Sequence, residues 1–325
     1  MTQTATAISH PNIAFIKYWG NRDDELRIPA NGSISMNLME LETRTSVTFD
    51  PTLKYDSLEI NGEKTDPQQL KRVSAFLDIV RMISGVQNRA SVVSTNNFPL
   101  GSGIASSASA FAALAFAASS ALGLSLTEVE LSRLARRGSG SAARSIPAGF
   151  VEWIPGEDDS SSFAHSILSP GAWDLIDIVL VLDRSPKKTG SSEGHHLAGT
   201  SPIQMARVMD APRRLDICRT ALLDRSFESL AAIIEQDCLI MHAVMMTSTP
   251  PLFYWSPATY KIIESAIQWR KAGLPVAFTI DAGPNVHLIT TAENVSHLIA
   301  EIRKLPEVLA THITHPGGAA RLLST

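Results

Sequence analysis

The chain has 325 residues, 44% hydrophobic and 18% charged, with 28 basic against 32 acidic residues and a formal net charge of -4. That much apolar side chain fills the core of one large or two medium globular domains. The weak acidic balance excludes a binder held to nucleic acid by a general positive field, and a pair of cysteines, Cys218 and Cys238, excludes a disulfide framework and makes a reducing cytoplasm the expected compartment.

Taken in chain order, MTQTATAISHPN lacks a charged segment followed by an apolar one, so no signal peptide is expected. Residues 33–49 alternate apolar and polar and predict strands. Asn61-Gly62 is a hairpin turn signal. Behind Pro67, Leu70, Val73, Phe76, Leu77, Val80 and Ile83 recur at helical spacing. RASVVSTNN predicts a strand, followed by a glycine/serine loop at 100–107 and an Ala-rich helix to about Leu122. The run from Ala108 to Leu124 is broken by Ser109, Ser119, Ser120 and Gly123, so it predicts a buried helix and no membrane span. Thr127 with Glu130 is a capping-box start for a helix through Arg136. GSGSAAR at 138–144 is a second glycine/serine loop, GFVEWI a strand, and IDIVLVLD at 176–183 a buried strand. Helices are predicted over about 200–222, 226–246 and 256–272, the last stopped by Gly273-Leu274-Pro275. VAFTIDAG is a strand meeting a loop, and a helix near 293–303 and a tail strand complete an α+β chain with a boundary near residue 185.

Four stretches carry chemistry. In PLGSGIASSA, Gly101, Ser102, Gly103, Ile104, Ala105, Ser106 and Ser107 lead into a helix. Bare glycine amides and a helix N-terminus suit a triphosphate, although a capped turn on a core helix has the same composition, and no Gly-Lys-Ser/Thr of a Walker loop follows. In ARRGSGSAARS, Arg136 and Arg137 are helix-terminal charges facing the dipole, whereas Arg144, inside the Gly/Ser loop, offers a planar fork for carboxylate or phosphate. In FTIDAGPN, Asp281 ends an apolar strand, where it is either a turn former or a site residue. In PNIAFIKYWG, Lys17 interrupts a buried strand and requires a partner, either a bound phosphate or a structural carboxylate. The nine histidines show no metal spacing; His242 is expected in the core and the others, His195-His196 included, on the surface or in loops. Met241, Met245 and Met246 are expected as core residues of a helix.

Together NIAFIKYWGNRD, GSGIASSASAFAALA, RRGSGSAARS, MHAVMMTSTPP and FTIDAGPN, spread over residues 8–290, resemble in order and spacing the mevalonate (di)phosphate decarboxylase family, within the wider GHMP superfamily of small-molecule kinases such as galactokinase, homoserine kinase and mevalonate kinase. The resemblance implies a GHMP-kinase fold. An N-terminal nucleotide-binding domain like the second domain of ribosomal protein S5 (1–185) would join a ferredoxin-like C-terminal domain (186–325), with the site between them. It also implies a reaction: ATP with Mg2+ phosphorylates the tertiary 3-hydroxyl of a phosphorylated mevalonate, and the new phosphate leaves as CO2 departs, giving an alkene through a transition state with positive charge at C3. Carried over by position, Asp281 orients or deprotonates that hydroxyl and stabilises the developing cation. Arg144 grips the substrate carboxylate, Lys17 stands near the reacting centre, and Asn12 helps order it. Tyr18, Ser139, Ser141 and Ser191 touch the substrate, the serines at its phosphate, and 101–107 cradle the triphosphate. Metal ligands are not assigned, since nucleotide phosphates and water supply most of them. The resemblance also implies a homodimer; cysteine usage, charge and hydropathy set the expectation of a cytoplasmic protein with no nucleic-acid or membrane partner, and loops 184–195 and 21–27 are candidates to close over the substrate.

One position departs from the pattern. Diphosphate-using members read KYWGKRD, whereas this chain reads KYWGNRD, with Asn21 in place of the second lysine. A charge-assisted contact contributes about 1.5–3 kcal/mol, enough to reverse a preference between similar substrates. The expectation is therefore mevalonate 5-phosphate going to isopentenyl phosphate, with diphosphomevalonate as the alternative. A 3-hydroxyl kinase that stops before decarboxylation, or a regulator without turnover, fits less well with Asp281, Arg144 and Lys17 all present.

Overall fold

In the computed structural model, residues 2–98, 106–185 and 189–323 are described. Eight helices are found among them: α1 (Pro67–Ser84), α2 (Ser106–Ala121), α3 (Glu128–Gly138), α4 (Ser191–Leu197), α5 (Gln204–Leu223), α6 (Phe227–Met246), α7 (Pro257–Lys271) and α8 (Val295–Ile302). Local chemistry explains most boundaries. Asp66 caps α1 by accepting from the amides of Gln68 and Gln69, Thr127 and Glu130 form the capping box of α3, and Ser256 caps α7 ahead of Pro257. The hairpin at Asn61-Gly62 takes positive φ at both residues, joining strands Ser57–Ile60 and Glu63–Lys64.

Three sheets organise the chain. The first has six strands in the order 321–322, 3–9, 43–50, 89–96, 57–60, 63–64, antiparallel except where 57–60 runs parallel to 89–96. Against it pack α1, α2 and α3 through Val47, Phe49, Phe76, Leu77, Phe111 and Leu134. The second sheet is antiparallel, in the order 163–168, 150–154, 33–37, 12–16. The third, also antiparallel, runs 277–279, 286–291, 175–181, 310–314. The buried strand at 175–181 therefore pairs with later strands, while the tail strand 321–322 returns to the first sheet.

A core of Phe15, Ile34, Met36, Val179, Leu222 and Ile234 joins the second and third sheets to α5 and α6, and a further core lies between the third sheet, α7 and α8. By length and apolarity α6 is a candidate membrane span; in the fold it is a core helix, burying Leu230, Ile233 and Ile234. The helix expected over 200–222 begins at Gln204, and α4, an element not expected, precedes it. Its sequence, SSEGHHL, is too short and polar to show a period.

Candidate active site

Strand Asn12–Ile16 carries Lys17 to the seam between the second and third sheets, where its side chain is only 1% exposed. Its partner is a carboxylate: Nζ lies 2.6 Å from Asp281 Oδ1. Asp281 stands just beyond strand Ala277–Thr279, which α6 and the neighbouring strand 286–291 hold in place. Burial alone would push the Asp281 carboxyl up, but the Lys17 ammonium, its hydrogen bond, and the charges of His287 and Arg144 outweigh burial and hold it below its ordinary value. The carboxylate is thus ionised, and its Oδ2 has no hydrogen-bond partner among the described residues.

The backbone around Lys17 is clamped from the other half of the fold. Asp237 of α6 accepts from the Lys17 amide at 2.6 Å and from Arg214 Nε at 2.7 Å. Arg207 of α5 donates to the carbonyls of Lys17 and Trp19, and Gln204 donates to the Trp19 carbonyl. The contacts to residues 17 and 19 were not foreseen, because they join residues 185–220 positions apart in sequence.

Arg144 lies in the short helical turn Gly140–Ser145 and is 3% exposed. Its fork donates to Asn12 Oδ1 and Ser33 Oγ, both neutral acceptors. Burial lowers its pKa to about 10, with Asp281 and Tyr18 acting in the opposite sense, so it stays cationic at neutral pH, and among the described residues no carboxylate contacts it. A buried guanidinium with neutral acceptors is suited to bind an anion. Asn12 orders Arg144, not Lys17 as expected: its Nδ2 is fixed by Ser145 Oγ and the Ser141 carbonyl, which turns its Oδ1 to the guanidinium.

Lys17, Asp281 and Arg144 line one cleft together with Tyr18, Ser139 and Ser141, all of them expected site residues. Ser106, Ser107 and Ser191 line it too. Ser107 and Ser139 bring their hydroxyls within 3.2 Å, bridging the two glycine/serine loops. Gly101, Ser102, Gly103, Ile104 and Ala105 lie outside the described residues. Gly140 is required by close packing: a Cβ there would stand 2.6 Å from the Tyr18 ring. Asn21 does not line the cleft. It accepts from the Tyr18 hydroxyl at 2.5 Å and donates to Asp24, and so acts through Tyr18, whose pKa burial raises to about 12.

Other expectations are corrected. Arg136 is fully buried and pairs with Asp159 instead of simply facing the dipole. His195, expected at the surface or in a loop, lines the cleft, and His287 is buried against Asp177 at 2.6 Å. His242 is a core residue as expected, its Nε2 3.3 Å from the Ile280 carbonyl. Met241 is buried and also reaches the cleft wall. Arg72 of α1 was not singled out. It stands where the polar cleft meets an apolar one lined by Leu58, Val73, Val92, Phe111 and Leu114, and Ser106 and Ser107 also border both.

Residues 9–164 match the family model for the diphosphomevalonate decarboxylase-like N-terminal domain, and residues 177–316 that for the mevalonate 5-diphosphate decarboxylase C-terminal domain. The chain is 35% identical to the diphosphomevalonate decarboxylase of Saccharomyces cerevisiae, over 93% of this chain and 81% of that protein. It is 33% identical to the phosphomevalonate decarboxylase of Haloferax volcanii, over 98% of this chain and 97% of that protein. Among solved structures it resembles MDDEF in complex with MVAPP, AMPPCP and magnesium, with a TM-score of 0.95, 35% identity and full coverage of both chains.

Proposed function

The chain belongs to the mevalonate (di)phosphate decarboxylase family of the GHMP superfamily, and from that premise we propose that it converts mevalonate 5-phosphate and ATP to isopentenyl phosphate, CO2, ADP and phosphate. The coarser statement, an ATP-dependent carboxy-lyase acting on phosphorylated mevalonate, holds for either phosphate form.

The ionised Asp281 carboxylate, locked to Lys17 and open at Oδ2, carries this reading. A carboxylate with a lowered pKa is a weak base toward a tertiary alcohol. Its contribution is to orient the 3-hydroxyl and to oppose the positive charge that grows at C3 as phosphate departs. Arg144, buried with neutral partners among the described residues, holds the substrate carboxylate in line with the bond that breaks. ATP fits the paired clefts, with its base in the apolar one and its phosphates near Ser106 and Ser107. Among the described residues no group of three His, Cys, Asp or Glu could hold a metal, so magnesium would be held by nucleotide phosphates with serine hydroxyls. When bound, it offsets phosphate charge.

The number of substrate phosphates is the finer point. Asn21 supplies no cation at the position where a second lysine would stand, which supports the monophosphate, although Lys17, Arg72 and Arg144 do line the cleft beside the hydroxyls of Tyr18, Ser139, Ser141 and Ser191. The second reading is mevalonate 5-diphosphate, favoured by the names of most relatives and by the MVAPP complex of the structural neighbour. Steady-state kinetics on both substrates separate them. The expected result is a higher kcat/KM for the monophosphate, by about tenfold or more. A preference for the diphosphate establishes the second reading, and CO2 release from neither substrate overturns both.

A further inference from the structure

His195 faces the same cleft from α4 and is fixed there by three contacts. Its ring stacks on Tyr18, with centroids 4.1 Å apart, and tilts against Trp19 at 4.6 Å. Gly194 lets α4 approach this closely, since a Cβ there would collide with the Trp19 ring. The backbone amide of Gly20 lies 2.9 Å from His195 Nδ1.

That last contact determines the tautomer. A backbone amide can only donate, so Nδ1 is the acceptor and the ring proton sits on Nε2. Among the described residues Nε2 has no hydrogen-bond partner. The Tyr18 hydroxyl beside it is already committed to Asn21. The Trp19 indole N–H is also without a partner among the described residues, but Trp19 is buried whereas His195 is half-buried, so His195 is the more accessible free ring donor in this part of the wall. Ser191 and Ser192, at the start of the same helix, line the cleft with it. Burial, aided by the positive charges of Arg27, Arg207 and His196 and opposed by Asp24, lowers the imidazole pKa to about 3. The ring is therefore a neutral donor.

We propose that His195 is a substrate-binding residue whose Nε2–H donates to the 5-phosphate of the substrate, in the corner of the cleft between Tyr18 and Ser191. This rests on the functional reading above and names the group that holds the end of the substrate remote from Asp281. A neutral donor can satisfy a phosphate oxygen without the lysine that position 21 lacks. A hydrogen bond to a charged acceptor is a contact whose loss raises KM about ten- to a hundredfold.

The test is kinetics on the full-length enzyme with mevalonate 5-phosphate and mevalonate 5-diphosphate, for wild type, His195→Met and His195→Gln. Met keeps bulk and removes the donor; Gln places an amide N–H near the site of Nε2. The proposal expects His195→Met to raise KM for the preferred phosphorylated substrate about ten- to a hundredfold, with kcat changed only a few-fold and KM for ATP unchanged, and His195→Gln to restore most of the loss. An unchanged KM in a folded His195→Met enzyme overturns it, as does an equal loss in both variants. If the variants fail to fold, nitrogen NMR of wild-type His195 decides: a proton on Nε2 whose signal shifts on saturation with substrate supports the contact, and an unmoved signal overturns it. Preference of the wild type for the diphosphate removes the monophosphate reading while leaving the KM effect of His195→Met as the measure of this one. A wild type that turns over neither substrate overturns both.

Discussion

Asp281 is charged because Lys17 is there. Burial is the largest single influence on the carboxyl and acts to protonate it, so removing the ammonium lets burial prevail. In Lys17→Met the folded pKa rises. Below that raised pKa the carboxyl is protonated and can no longer oppose positive charge at C3. The expected outcome is a kcat lower by about 10²–10³ and a new acidic limb in the pH–rate profile, where wild type is flat across about pH 5–8. A Lys17→Met profile parallel to wild type would remove Lys17 from the electrostatics of the site. The sequence made Lys17 conspicuous, because a cation in NIAFIKYW demands a partner. It could not say which: Asp281 is 264 positions away, and only the fold brings them together. His195 was missed for the opposite reason, since HH in a polar run reads as surface until Tyr18 and Trp19 close over it.

At the scale of elements, α5 and α6 hold the strand that presents Lys17. Asp237 and Arg214 are both fully buried, and Asp237 also binds the Lys17 amide. Asp237→Asn leaves buried Arg214 with Asp210 as its remaining carboxylate partner at 2.6 Å, a change that costs about 1.5–3 kcal/mol by urea unfolding. It also loosens the backbone of residues 17–19, so kcat should fall further than stability alone explains under conditions where the variant is fully folded. Arg213→Ala, which removes an ion pair at a half-exposed arginine on the same helix, should cost under about 1 kcal/mol. Comparable losses from the two would mean that burial is not what distinguishes them. Elements with caps were legible: Asp66, Thr127 and Ser256 each announce a helix. α4 was not, because seven residues that open on two serines give no period, and its helical state depends on docking at Trp19.

In the whole molecule the N-terminal sheets are stitched to the C-terminal part of the chain. The carbonyl of Gly317 accepts from Gly149, the amide of Gly317 donates to Asn37, and Met39 donates to the His315 carbonyl. Strand 321–322 pairs with the first strand, and Thr279 Oγ1 reaches the Ala14 carbonyl beside Lys17. This interlock was not visible in the sequence, where the alternation of 33–49 predicted strands but not which strands would neighbour them. Its consequence is cooperative. The catalytic pair takes Lys17 from one end of the chain and Asp281 from the other, so neither half keeps a site when the other opens. Unfolding by urea should therefore give one transition, although chains of this length often show intermediates. Trp153 reports on the N-terminal part, Trp255 and Trp269 on the C-terminal part, and Trp19, packed among Ala198, Met241, Val244 and Met245, on the seam between them. Single-tryptophan variants should unfold at a common midpoint, and activity should vanish over the same range. A Trp19 midpoint below those of Trp153 and Trp255 would mean that the seam yields first; if activity then followed the Trp19 transition, the seam itself would be the weakest part of the catalytic machinery.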